Sequence, residues 1–325
     1  MRFSLAPVQS KELFEDLIRQ SMLAETLGFD ALWIHEHHSE GTLYPSPLNV
    51  LSFLASKTNY IELGSNMLLL PLHHPVRVAE EAAMVDAQSQ GRLRLGVSAG
   101  YSETDLQAFN IEARDRGKIM EEGVSLIRAL WTEDSVTIQN NFSHLSNFKL
   151  FPKPVRKPSP PIYMGATVDA AVRRSARLGD EFVISTTQRK DDILRMVSVY
   201  DSELRSLGKD PKYKKTTLNR IFFVVDTPGE KEEAERYFMD IFLKLYQKWG
   251  HENITDLDEG SKTYQEIMRN HFIIGEYSQC IDTIVQYEQL GINEICCLMN
   301  FGSPNLEKVE KSLRLTAKHI MPYFY

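Results

Sequence analysis

Eight short apolar runs, most of them separated by one amphipathic segment, constrain this chain more than any other feature. They are residues 2–8 "RFSLAPV", 31–35 "ALWIH", 61–70 "IELGSNMLLL", 92–100 "RLRLGVSAG", 161–166 "PIYMGA", 181–185 "EFVIS", 219–226 "NRIFFVVD" and 294–300 "EICCLMN". Each is apolar throughout rather than alternating, the pattern of strands buried on both faces. Between and after them the spacing predicts helices at 11–28, 48–57, 74–91, 112–131, 168–178, 191–207, 229–248, 277–290 and 305–321. In the first, Leu13, Leu17, Ala24 and Leu27 share a face and Gly28 stops the helix. Eight βα units in this length predict an α/β protein, a single (β/α)8 TIM barrel over residues 1–325. Two stretches break the rhythm and are expected to be insertions. Residues 134–161 hold five prolines and read as a hairpin and rigid connector, and residues 250–272 are polar. An open doubly wound sheet is the alternative, but the turn after the first run, "APVQSKEL", lacks the glycines such a sheet uses to bind a dinucleotide.

Composition narrows the classes of partner. A formal net charge of −7 gives no basic footprint for nucleic acid. No apolar run has the length of a membrane span, and the N-terminal segment lacks the apolar core of a signal peptide. Cys280, Cys296 and Cys297 form no CxxC pair, so a disulfide framework is not expected and a reducing, cytoplasmic setting is.

In a barrel of this kind the active site is built from the loops that follow the strands. The polar clusters obey that placement: "HEHHSEG", "PLHHP", "SAGYSE", "GATVD" and "STTQRK" follow runs two to six. His35 and His37, two positions apart at a strand end, face the same way and would suit a metal. Zinc needs three or four ligands, and with Asp226 the only further candidate no convincing set assembles. "GATVD" opens a helix, whose free first-turn amides suit an anion. The plainer reading there is capping by Thr167 or Asp169.

Taken together, "AETLGFDALWIHEHH" (24–38), the segment 63–101 beginning "LGSNMLLLPLHHPVR", "PPIYMGATVDAAVRRSARLGD" (160–180) and "GINEICCLMN" (291–300) resemble the luciferase-like flavin monooxygenases, the bacterial luciferase superfamily. The resemblance covers nearly the whole chain. It implies reduced FMN at the C-terminal mouth of the barrel, reaction with O2 through a flavin C4a-peroxide, and oxidation of a small organic substrate. It implies that His37 is catalytic, relaying a proton, and that Asn66 and Met67 form a non-prolyl cis peptide beneath the flavin ring. Amides at Thr167 and Val168 would hold the phosphate, and Val183, Ser185 and Thr186 would line the ring pocket. Reducing equivalents would come from NAD(P)H directly or through a flavin reductase. The helices at 48–57 and 74–89 match those that pair luciferase subunits, so a homodimer is expected.

The loop after the fourth run departs from the catalytic luciferase subunits. Ser98 stands where they carry a reactive cysteine, and Ala99 where they carry the arginine that binds phosphate. Arg173, Arg174 or Arg189 are the candidates to replace it. The Ala99–Gly100 pair also resembles relatives that use the deazaflavin F420, which would make the protein a hydride-transfer oxidoreductase. A non-catalytic flavin-binding partner subunit is a further alternative, and a metal hydrolase a third.

Overall fold

The computed structural model describes residues 1–9, 14–38, 44–140, 143–248, 262–300 and 305–325. Eight strands form the barrel: β1 (Arg2–Ala6), β2 (Ala31–Ile34), β3 (Glu62–Ser65), β4 (Leu93–Ser98), β5 (Ile162–Ala166), β6 (Glu181–Ile184), β7 (Thr216–Val224) and β8 (Glu294–Leu298). Each pairs in parallel with the next, and β8 pairs with β1 (Arg2 opposite Glu294, Ala6 opposite Leu298), so the ring is closed. The expected (β/α)8 barrel is the fold.

Around it lie α1 (Phe14–Thr26), α2 (Pro47–Ala55), α3 (Pro75–Gln88), α4 (Glu103–Ala108), α5 (Arg116–Thr132), α6 (Asp169–Leu178), α7 (Lys190–Ser206), α8 (Pro228–Lys248), α9 (Lys262–His271), α10 (Tyr277–Gln289) and α11 (Leu306–Leu315). The main apolar core is the sleeve between these helices and the outer face of the strands. A second, smaller core fills the barrel itself, with Ala6, Ala31, Trp33, Tyr163, Val183, Cys296 and Leu298.

The interior is not apolar throughout, as the runs suggest. At its lower end Glu294, fully buried, meets Arg2 and Arg94 at 2.9 Å each. Its Oε1 also accepts hydrogen bonds from Ser4 Oγ at 2.7 Å and Trp33 Nε1 at 3.2 Å. The Arg94 guanidinium also lies over the Trp33 and Tyr163 rings, 5.6 and 5.5 Å from their centroids. Burial opposes the charge on Glu294, but Arg94 and Arg2 hold its carboxyl below the usual carboxylate range. A buried ion pair persists only when its remaining hydrogen-bonding capacity is met in this way.

Both departures from the βα rhythm have structure of their own. Within 134–161, Val136–Gln139 and His144–Phe148 pair antiparallel as a hairpin. Of the 250–272 stretch, residues 250–261 lie outside the described residues. Its remainder is not a loop: it holds α9, and Phe272 starts a further parallel strand, Phe272–Gly275. This strand pairs with Ile221–Val224 in the upper half of β7, while β6 holds the lower half at Thr216–Leu218. Four apolar residues after a polar stretch carry no periodicity, so nothing local announced them.

Candidate active site

The third apolar run is where sequence and mouth geometry meet. Its strand is interrupted after Ser65, the Asn66–Met67 peptide bond is cis, and the chain resumes at Leu68 and Leu69 opposite Val97 and Ser98. Across the interruption Ser65 Oγ donates to Gly96 O at 2.8 Å and accepts from Gly96 N at 3.0 Å, replacing the missing ladder bonds. A Cβ on Gly96 would lie 1.9 Å from Ser65 O and 3.0 Å from Met67 Cε. One on Gly165 would lie 3.0 Å from Met67 Cγ. Glycine at both positions therefore makes the cradle in which Met67 lies, between the ends of β4 and β5.

Below Met67 the Asn66 side chain turns across the barrel. Its Nδ2 donates to Asn219 Oδ1 at 2.8 Å, and Asn219 Nδ2 returns a longer bond of 3.4 Å. Both side chains are buried. β3 and β7 lie on opposite walls of the ring, so this amide pair spans it.

The "HEHH" cluster separates into two sets. The rings of His35 and His37 lie 6.5 Å apart on one side. Glu36 and His38 meet on the other. Glu36 Oε1 lies 2.8 Å from Nε2 of His38 and 2.8 Å from Nε2 of His73, and its Oε2 accepts the Leu69 N–H at 2.8 Å. Burial opposes the charge on Glu36, yet the bonds from His73, Leu69 and His38 hold its carboxyl below the usual carboxylate range. Desolvation and the neighbouring His37 drive the His35 imidazole down to about 3, so His35 is neutral at physiological pH. Its backbone N–H is anchored by Gln9 Oε1 at 2.8 Å. His37 is half-buried, its N–H bonded to Tyr44 O at 3.2 Å. Among the described residues no group of three or more His, Cys, Asp or Glu side chains is placed to hold a metal ion.

Ser98 and Ala99 are half-buried at the end of β4. Thr167 and Val168 are exposed, immediately before α6. The residue that caps α6 is Val168, extended at φ −123° and ψ 153°, and no side chain caps the first turn. The plainer reading, a cap by Thr167 or Asp169, is thereby corrected: Asp169 pairs with Arg195 instead. Val183 is buried in the barrel's inner core, with Met67 against the same cluster. Ser185 and Thr186 are half-buried in the loop after β6, where Ser185 Oγ lies 3.2 Å from Thr187 Oγ1.

Sequence reasoning missed the residues that hold these loops. Arg220, buried, donates to the carbonyls of Thr186 and Gln188 at 3.2 and 2.7 Å and to Tyr287 Oη at 3.0 Å. Arg173, Arg174 and Arg189 pair with Glu203, Glu121 and Glu266, respectively. The guanidinium that reaches the loop after β4 is that of Arg116, whose Nη1 donates to Gly100 O at 3.1 Å. A polar residue inside an apolar strand was the available signal for Asn219 and Arg220, and "PLHHP" was the signal for His73.

A closed parallel barrel with a histidine-lined mouth, an uncapped helix start and a glycine cradle defines a (β/α)8 enzyme of the cofactor-binding kind. The chain belongs to the luciferase-like monooxygenase family, whose model matches residues 2–294. It is similar to the oxygenase component of a flavin-dependent trigonelline monooxygenase from Acinetobacter baylyi, 26% identical over 97% of this chain and 91% of that one. Two solved structures share the fold. The oxygenating constituent of 3,6-diketocamphane monooxygenase from Pseudomonas putida, in complex with FMN, matches at a TM-score of 0.82 and 17% identity over 100% and 99% of the two chains. An F420-dependent secondary alcohol dehydrogenase matches at 0.80 and 18% identity, over 98% of each.

Proposed function

We propose that this protein is the oxygenase of a reduced-FMN monooxygenase system acting on a small organic substrate and O2. The observation that carries the reading is that His37 and first-turn amides of α6 that no side chain seals both follow barrel strands, and so lie at the same end of the barrel, on a chain of this family. Reduced flavin, when bound, supplies the electrons that activate O2. The chain supplies the rest. First-turn amides after Thr167 and Val168 bind the phosphate, as helix starts do. Arg116, held at Gly100, adds the guanidinium that Ala99 does not provide. Met67, in its glycine cradle above the Asn66–Asn219 pair, would support the bound ring, with Val183, Ser185, Thr186 and Ser98 as the residues that would line it. His37 moves a proton at its imidazole nitrogen, as histidine side chains do in acid–base catalysis. His35, neutral, does not.

The chain acts as one barrel domain, 1–325, a homodimer joined through α2 and α3, in the cytoplasm, with reducing power from a partner flavin reductase or from NAD(P)H. No described helix is long and apolar enough to cross a membrane. A second reading, F420-dependent hydride transfer, is favoured by Ala99–Gly100 in the loop after β4 and by a fold match of the same quality. Anaerobic titration with reduced FMN and with reduced F420, followed by O2 uptake, separates the two. Tight FMN binding with O2 consumption supports the first reading, and tight F420 binding with none supports the second.

A further inference from the structure

We propose that Glu36 is the positioning residue of this mouth, a buried carboxylate that ties the loop after β2 to the loop after β3 through His38 and His73 and so keeps His37 on the cofactor side. The inference rests on the reading above only for the reaction it serves.

An ionised carboxylate accepts hydrogen bonds and donates none. The contacts of Glu36 Oε1 with Nε2 of His38 and Nε2 of His73, both 2.8 Å, therefore require Nε2–H on both rings. The third bond, from Leu69 N–H, fastens the same carboxylate to the short strand beside Ser98. A third loop joins where the His38 ring meets Phe109, just beyond α4, with centroids 4.8 Å apart. The loops after β2 and β3 thus meet on one side chain that is 2% exposed, and the loop after β4 packs on its partner His38. His37 lies between Glu36 and His38 in the chain, and both of its neighbours are tied on the opposite side from the His35 ring. Its backbone has little freedom to swing the imidazole away. Geometry of this kind is what a reacting group needs held.

Two measurements test this. In protein labelled with 15N-histidine and free of cofactor, long-range proton–nitrogen spectra should show two of the nine histidines fixed as slowly exchanging Nε2–H forms. Both signals should be lost in Glu36→Leu, which offers no acceptor. In stopped flow, bound reduced FMN should be reoxidised by O2 about tenfold more slowly in His73→Leu, which has no donor, with FMN affinity retained. His73→Gln, which keeps a donor at similar reach, should return the rate to within about twofold of wild type. A merely structural tie would lower the unfolding temperature of His73→Leu and leave that rate alone. Spectra without the two Nε2–H signals, or a His73→Leu rate equal to wild type, would overturn the proposal. Failure of the wild-type protein to bind reduced FMN would instead count against the proposed function, because the spectra are taken without it.

Discussion

Two histidines two positions apart meet different fates at this mouth. His35 sits deep enough that burial and His37 push it down to about 3, and it stays neutral. His37, half-buried beside it, is the one proposed to transfer a proton. His37→Ala is expected to leave fold and flavin affinity intact and to lower substrate oxygenation by about 100-fold or more, the usual contribution of a placed acid or base. Unchanged turnover would remove His37 from the mechanism. Arg116 is tested by comparing ligands. Arg116→Ala should weaken FMN by about tenfold and riboflavin, which has no phosphate, hardly at all. Equal losses for both would place Arg116 away from the phosphate.

At the scale of elements, β4 is shaped by what crosses beside it. Gly96 is required because a Cβ would meet Ser65 O at 1.9 Å. Gly96→Ala should destabilise the protein by about 2 kcal/mol or more in denaturant unfolding, since backbone on both sides has to shift. A stability equal to wild type would show that the two strands separate freely. The eight strands and most of the helices were legible because burial on both faces leaves unbroken apolar runs, and the mouth was legible because polar clusters follow those runs. Asn219, Arg220 and Glu294 were not. Each sits in an apolar run, and each answers a partner far away in the chain, such as Asn66 for Asn219 and Arg94 for Glu294. The helix Glu103–Ala108 and the strand Phe272–Gly275 were missed because six and four residues are too short to show a period. The open start of α6 was visible only as a possibility, since "GATVD" offered two capping side chains and the backbone uses neither.

The whole molecule is a closed ring with an ionic plug at one end and the candidate site at the other. Glu294→Gln leaves Arg2 and Arg94 without their buried carboxylate and should cost about 3 kcal/mol near neutral pH. The folded-state pKa of Glu294 is depressed below its ordinary 4.5, so its contribution is complete above that value and is lost as pH falls through the lower folded one. The gap between wild type and variant should hold steady from pH 8 to about 5 and narrow only below that, as followed by denaturant unfolding at each pH. A gap that closes already at pH 6 would assign the stability to other groups. The proposed dimer makes its own demand. Met84 on α3 is 45% exposed, and Met84→Glu should shift the mass found by light scattering from two chains to one. A wild-type protein that runs as a single chain would end that proposal.

The central claim is that reduced FMN lies in the mouth with its phosphate at the start of α6. A crystal structure of the protein with reduced FMN, grown without oxygen, tests it most directly. The expected result is a phosphate within hydrogen-bond reach of the amides after Val168 and a ring lying over Met67 on the same side as His37. A flavin bound outside the barrel mouth, or a phosphate seated far from α6, would contradict it.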